Sequence, residues 1–484
     1  MPATQVPGDP DSQTWEVERE TELRVACPGS VQVTLLEGVA EVFGIEMKLL
    51  MPYTFFHTSF AIFSWYGAKI KVTDLKGGAS SSSSSGGSSG SSSNSSSSST
   101  SASGGGAPSR KVGAPSRKVY VYESKDSHMM SDYVQLHGKV EEARVAALTA
   151  DIAGPRVIVV GPPNSGKSSL VRLLCSYAVR MSRVPLYVDL DVGANDASMP
   201  GSIVASPVDM RSVSVEHGVR AKYPLAFYFG HSEPAANADL FKRQVDALAS
   251  VVDRCLEKNV VMQNSGIIVN ACGWDSAGGG VGRDVLTHAV RALKCDVVVV
   301  VKNDRMFLEM QSEFDPELTV LKVPQSGGVE ELGDLARRRQ ARQQAHIRRY
   351  FYGHPYQKKS QLAPALRTIS FDDVTIVRIG DDRDDTASHA MTPLGQEHLM
   401  KVDPFRVRTV DPSDRSSGIL HAVLGVSHAE DEGSIVKENV AGYVWVKAVD
   451  MEKRTLDVLQ PNHIDFLQKK TLILGSFTFI DRDN

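Results

Sequence analysis

Hydrophobic positions along this chain change period twice. Over residues 15–75 the apolar side chains alternate or bunch in short runs (VQVTLLEG, AEVFG, YTFF, FAIFSWYG, AKIKVTDL), broken by glycines and charged pairs. Period two with no sustained helical period predicts a small all-β domain, sandwich- or barrel-like. YVQLHGKVEEARVAAL at 133–148 switches to a helical period and leads into the next block. There, β-branched runs at 156–160, 185–193, 265–274, 295–301 and 318–324 alternate with helical stretches at about 238–258 and 283–294. Strands separated by helices predict an α/β domain with a parallel sheet covered by helices on both faces. From residue 371 onward short strands return (VTIVRIG, HAVLGVSHA, VAGYVWVKAVD, TLDVLQP, TLILGSFTFI), which predicts a C-terminal β-rich domain. The expected boundaries are 1–132, 133–353 with the linker helix at its start, and 354–484.

Composition adds one large exception to this order. Residues 77–106 are almost pure Ser and Gly, and GAPSRKV at 106–112 repeats at 113–119. Such a stretch cannot bury apolar surface, so a disordered insertion over 77–118 is expected, set between two strands of the first domain. A chain of 484 residues with a formal charge of −4 excludes a globally basic nucleic-acid coat, so any RNA contact must come from a local patch. The first twenty residues lack a basic and apolar leader pattern, and the apolar runs are of strand length. Five scattered cysteines form no C-x-x-C pair. A soluble intracellular protein with reduced thiols is the expectation, with no membrane contact.

The candidate chemistry centres on one loop. After the apolar run 157–160, Gly161, Gly166, Lys167 and Ser168 fill each fixed position of G-x-x-x-x-G-K-[ST], and Leu170, Leu173, Leu174 and Tyr177 follow at helical spacing. A match lying between strand and helix is a phosphate-binding loop and not a chance Gly/Ser turn. Its backbone N–H groups and the helix dipole face an anion, Lys167 reaches the β/γ-phosphates and the Ser168 hydroxyl is a Mg²⁺ ligand. Asp189 and Asp191 end the next apolar strand, where a carboxylate can hold a metal-bound water or accept a proton; the alternative is a turn aspartate before Gly193. Trp274, at the end of NACGW, is either a stacking surface for a base or ordinary core. Arg337, Arg338, Arg339, Arg342, Arg348 and Arg349 form the dense basic cluster, read as a lid over transferring phosphate or as a solvated helix face. Glu16, Glu18, Glu20 and Glu22 read on composition as a solvated edge.

These residues resemble a known family, the Clp family of RNA 5′-hydroxyl kinases, whose members are subunits of the eukaryotic mRNA cleavage and polyadenylation factor. The matching pieces are ERETELR (18–24), AEVFG (40–44), GPRVIVVGPPNSGKSS (154–169), LDVG (190–193), MPGS (199–202), CGW (272–274), SGGV (326–329), RRYFYG (348–353) and residues 440–461. The resemblance covers the chain apart from the Ser/Gly insertion and the duplicated GAPSRKV. It implies an N-terminal β domain, a central P-loop kinase domain and a C-terminal domain, with ATP and Mg²⁺ as cofactors. It implies that Glu22 helps hold the nucleotide, with Gly161, Asn164, Ser165, Gly166, Lys167, Ser168 and Ser169 around the phosphates. Ser168 and Asp191 would serve the metal, Lys167, Asp191, Arg342 and Arg348 the catalysis, and Trp274 the terminal base of an RNA with a 5′-hydroxyl end. The implied setting is the nucleus, with other subunits of the cleavage and polyadenylation complex as partners and tRNA splicing as a further role. The chain departs from the family pattern at Phe60 (a lysine in relatives), Ala194 (a glutamine) and Gln343 (a lid arginine). A nucleotide-locked scaffold that catalyses nothing is the competing expectation.

Overall fold

The computed structural model describes residues 12–75, 120–124, 128–195, 197–274, 280–314, 316–326, 335–353, 362–380, 403–462, 467 and 470–481. Seven strands form the first sheet: β1 (Ser12–Val17), β2 (Thr21–Gly38), β3 (Glu41–Val42), β4 (Ile45–Glu46), β5 (Pro52–Ser64), β6 (Ala68–Asp74) and β7 (Tyr120–Ser124). Their order is β1-β6-β2-β5-β3-β4, with β7 on β2. β2 is long enough to serve two neighbours on one edge. Its first part pairs with β7, its second with β6; a register shift at Cys27/Ser30 bends it between them, and a second at Leu35/Glu37 lies within the part paired with β6. That bend folds the sheet around Leu23, Val25, Val31, Val33, Ile62 and Ile70, all buried. β6 and β7 therefore bracket the Ser/Gly tract, which itself lies outside the described residues.

Helix α1 (His128–Ala150) enters the central block, which runs β8 (Arg156–Val160), α2 (Lys167–Arg180), β9 (Leu186–Asp189), β10 (Ser202–Pro207), a small hairpin of β11 (Val213–Ser214) and β12 (Gly218–Val219), and β13 (Leu225–Tyr228). It continues through α3 (Ala238–Lys258), α4 (Val260–Ser265), β14 (Ile267–Asn270), α5 (Gly280–Ala292), β15 (Val297–Val301), α6 (Asp304–Phe314), β16 (Thr319–Val323) and α7 (Leu335–Tyr352). The strand order β16-β15-β8-β14-β9 is parallel throughout. Side chains alternate across it. Val157 and Val159 of β8 pack with α1 and α2, through Leu136, Val140, Leu170 and Leu174. Ile158 and Val160 face the other way, into a core shared with Leu240, Leu248 and Val252 of α3 and Val290 of α5.

The parallel sheet expected from strand–helix alternation is this five-stranded block, and two antiparallel strands extend it. β10 returns beside β9 and β13 beside β10. The segment between β9 and β10 contains no helix to cross over the sheet, so the chain doubles back antiparallel. β13 then meets β21 at Ala226↔Val440, so the C-terminal strands continue the same sheet. They are β17 (Ala365–Ser370), β18 (Val374–Ile379), β19 (Val407–Thr409), β20 (Ala422–Ser427), β21 (Val440–Asp450), β22 (Thr455–Gln460) and β23 (Lys470–Thr478). Packing across this junction is aromatic: Tyr228 meets Tyr443 edge-on, and Tyr443 meets Tyr350 of α7. Among the described residues no helix is long and apolar enough to cross a membrane.

Candidate active site

The carboxyl ends of β8, β14 and β9 lie side by side, and the loops leaving them make one cleft. The loop after β8 curls through Gly161, then Asn164 at φ 58° and Gly166 at φ 95°, before α2 begins at Lys167. A side chain at Gly161 would approach Ser165 Oγ at 2.9 Å and the Val301 carbonyl at 3.1 Å, so the tight curl requires glycine there. Ser165 is buried and its Oγ has no hydrogen-bond partner. An orphaned donor inside a loop of this shape fits a phosphate oxygen. Lys167 is buried and donates to the Pro162 carbonyl at 2.9 Å. Burial holds its ammonium below the usual lysine range, and Asp191 opposes that fall. Ser168, on the first turn of α2, is half-buried, and Ser169 beside it is exposed.

The two aspartates after β9 differ. Asp189 is buried and takes three donors: the Tyr187 hydroxyl at 2.9 Å, the Asn270 side-chain amide at 2.9 Å and the Asp191 backbone N–H at 3.1 Å. Burial, with help from Asp191, pushes its carboxyl up to about 7. Asp191 is half-buried at the cleft, and one oxygen receives the Gly193 N–H at 3.1 Å. The Ser168 hydroxyl donates to Asn270 Oδ1 at 3.3 Å. Asn270 ends β14, and a polar residue closing an otherwise apolar strand was the one sign of it in the sequence.

Helix α7 lies over the loop that carries Asp191. Gln343 donates to the Gly193 carbonyl at 2.8 Å, and His346 Nδ1 meets the Asn195 carbonyl at 3.0 Å. Arg339 donates to the Ser232 carbonyl and sits where a side chain on Gly193 would otherwise stand. Arg342 is exposed and feels the field of Asp191. Arg348 is drawn elsewhere. It forms an ion pair with Asp481 at 2.7 Å, lies 5.4 Å from the Tyr352 ring, and Tyr352 binds the same carboxylate. Arg342, His346 and Arg349 recur at intervals of four and three and share one face of the helix. Arg342 and Arg349 both act on Arg172 of α2, and Arg220 acts on Arg349, whose pKa burial and that neighbour bring down to about 10. Nothing in the sequence pattern singled out Arg172 or Arg220, which come from a helix interior and a loop.

Glu22 is buried, in an ion pair with Arg24, and Arg24 also donates to Ser326 Oγ at 2.9 Å. The solvated edge read from composition thus breaks at Glu22, because the first domain docks here on the loop after β16. Tyr133 closes the same corner, donating to the Pro324 carbonyl, and burial followed by Glu22 pushes its hydroxyl up to about 12. Phe60 stacks on Phe55 at 3.8 Å within the β core. Trp274 is 9 % exposed; its ring lies where a side chain on Gly282 would be, and its indole nitrogen lacks a partner. Residues 275–279, which follow it, lie outside the described residues. Within the cleft, then, Lys167, Ser168, Asp191 and Arg342 come together, whereas Arg348 does not join them.

The profile of the mRNA cleavage and polyadenylation factor CLP1 P-loop matches residues 161–353, that of the pre-mRNA cleavage complex II protein Clp1 matches 362–481, and that of the N-terminal β-sandwich domain of polyadenylation factor matches 16–103. Polyribonucleotide 5′-hydroxyl-kinase Clp1 of Homo sapiens is 32% identical over 471 residues, covering 96% of each chain. This chain belongs to the Clp1 family. Protein CLP1 homolog of Arabidopsis thaliana is 30% identical over 489 residues, covering 98% of this chain and 96% of its own. A solved Clp1p–Pcf11p complex contains a chain with the same fold, at a TM-score of 0.74 and 22% identity, covering 99% of this chain and 100% of that one. The family model that begins at residue 161 is that of a P-loop domain, and the family is one of pre-mRNA processing factors.

Proposed function

We propose that this chain is an ATP- and Mg²⁺-dependent RNA 5′-hydroxyl kinase working in the nuclear pre-mRNA cleavage and polyadenylation machinery. The observation behind this reading is the convergence of the phosphate loop with Asp191, whose half-buried carboxylate stands at the sheet edge under α7. Lys167 holds β- and γ-phosphate oxygens, joined by the N–H groups of the loop around Asn164–Ser169. Asp191 accepts the proton of the RNA 5′-hydroxyl as its oxygen bonds to the γ-phosphorus, while the bond to the β-phosphate oxygen breaks and ADP leaves. Arg342 neutralises charge on the transferring group from the lid side. Glu22 and Arg24 close the nucleotide's other end, beside Ser326. Ser168 and Asp191 offer hard oxygen donors that suit Mg²⁺. Among the described residues no cluster of three His, Cys, Asp or Glu could hold a metal unaided, as fits an ion that shares phosphate oxygens and water. When bound, Mg²⁺ neutralises the phosphate charge.

The names of the relatives support the activity, and the solved complex with Pcf11p supports a cleavage-factor subunit as partner. The basic wall of Arg172, Arg220, Arg342 and Arg349 supports an RNA phosphate backbone leaving the cleft. Transfer of label from γ-labelled ATP to a 5′-hydroxyl RNA by the purified protein tests the reading. Label on the RNA in the wild type, lost in Asp191→Asn, is the expected result; an unlabelled RNA at every protein concentration overturns it. A second reading, a nucleotide-bound scaffold, draws on Gln343 tied to Gly193 and Arg348 tied to Asp481, which leave Arg342 as the lid arginine facing Asp191. ATP that co-purifies with a protein inert in the same assay is the result it expects.

A further inference from the structure

Hydrogen bonds among four side chains beneath the phosphate loop converge on Asp189, which accepts from Tyr187 on one side and from Asn270, itself the acceptor of Ser168, on the other. Asp189 Oδ1 receives the Asp191 backbone N–H at 3.1 Å, and that donor cannot reverse. The same oxygen receives the side chain of Asn270 at 2.9 Å, so Asn270 must present its NH₂ to it. An amide with its NH₂ turned one way has its carbonyl oxygen turned the other. Asn270 Oδ1 therefore faces Ser168 and accepts the hydroxyl proton at 3.3 Å. Tyr187, donating to Asp189 Oδ2 at 2.9 Å, fixes the carboxylate plane from behind. Asp189 and Asn270 are each 1 % exposed, so water does not compete for these bonds.

A hydroxyl ligates a cation through its oxygen lone pairs, and does so best when its proton is committed elsewhere. We propose that Asn270, held in one amide orientation by Asp189, positions the Ser168 hydroxyl for the divalent cation by accepting its hydrogen bond. Both are positioning residues, acting on the cation through Ser168. Asp191 shares the arrangement, because the oxygen that orients Asn270 also anchors its backbone. The proposal rests on the Mg²⁺–ATP reading above, and it assigns work to two buried polar residues that the transfer step does not use.

The test is a titration of Mg²⁺ against the full chain with a fluorescent ATP analogue, reading nucleotide affinity with and without the metal. Asn270→Ala removes the acceptor and should raise the Mg²⁺ concentration for half-maximal tightening about 10- to 100-fold. Affinity measured in chelator should stay within about threefold of wild type, since the loop backbone and Lys167 are untouched. Asp189→Leu, which frees the amide, should shift the Mg²⁺ requirement the same way and decides the matter if Asn270→Ala fails to fold. Asp189→Asn keeps an acceptor at the Oδ1 position and should return the requirement to within a few-fold of wild type. An Mg²⁺ requirement unchanged in both Asn270→Ala and Asp189→Leu, in a wild type that does respond to Mg²⁺, overturns this inference alone. A wild type whose nucleotide affinity ignores Mg²⁺ overturns the metal reading with it.

Discussion

The loop that carries Asp191 is gripped from two sides by different means. From below, β9 and β14 hold it with buried, fully committed groups: Asp189 takes three donors, and Asn270 bridges to Ser168. From above, α7 holds it with side-chain contacts to backbone carbonyls, Gln343 to Gly193 and His346 to Asn195. Bonds sealed in the sheet resist competition from water, while the part-buried Gln343 bond is open to exchange. The lower side is thus sealed at Asp189, whereas the upper side combines one buried bond, from His346, with one part-buried bond, from Gln343. Catalytic defects should follow damage below, and access or pH effects should follow damage above.

The largest expected effect belongs to Asp191→Asn, which keeps shape and loses the proton acceptor. Phosphate transfer to a 5′-hydroxyl RNA should fall by about two orders of magnitude or more while nucleotide affinity survives. An equal fall in both would make Asp191 part of the binding wall. Next comes Lys167→Ala. At about 100 times its Kd, a ligand specific to the native state adds about 2.7 kcal/mol. The wild type should show a matching rise in Tm with Mg²⁺–ATP, and the variant should show none.

Trp274→Ala separates the two sides of the site in another way. A stacking role predicts RNA affinity weaker by about 1–3 kcal/mol with Tm little changed. Its 9 % exposure and contact with Gly282 predict, for a packing role, a lower Tm with RNA use intact. Binding and melting of the one variant decide between them.

His346 gives the upper side a pH signature. Burial, reinforced by Arg349, lowers its pKa to about 3, below an unfolded value near 6.5. The stability this neutral ring contributes is complete above pH 6.5 and is lost as pH falls toward 3. Between pH 7 and 5 the loss is about 2 kcal/mol, at ~1.4 kcal/mol per pH unit below 6.5. His137, also lowered by burial, to about 4, acts with the same sign, so His346→Gln should flatten the Tm–pH slope without abolishing it. The smallest effect belongs to Gln343→Ala, which removes one half-exposed hydrogen bond worth about 0.5–1.5 kcal/mol. Faster proteolysis of α7 with unchanged nucleotide affinity is the expected outcome; unchanged proteolysis would show that this bond does not hold the lid.

The sequence alone determined whatever depends on neighbours along the chain. The phosphate loop needs glycines at fixed spacing, a lysine and a serine between strand and helix, and all of that is local. The first β domain and the strand–helix alternation were legible for the same reason, because periodicity reports which face a residue turns inward. Tertiary structure decided the rest. β10 and β13 were missed because short antiparallel strands inside a loop-rich stretch carry no helical spacing to announce them. Glu22 reads as one of four alternating glutamates until docking on the loop after β16 buries it. Arg342 and Arg348 are equivalent along the chain, yet one turns toward Asp191 and the other toward Asp481, near the far end of the sequence. Asn270 gains its meaning only because parallel pairing sets β14 beside β9 and brings its amide against Asp189. Local pattern encodes a phosphate cradle, but the direction of a buried hydrogen bond depends on every partner being in place, and only the folded chain supplies them.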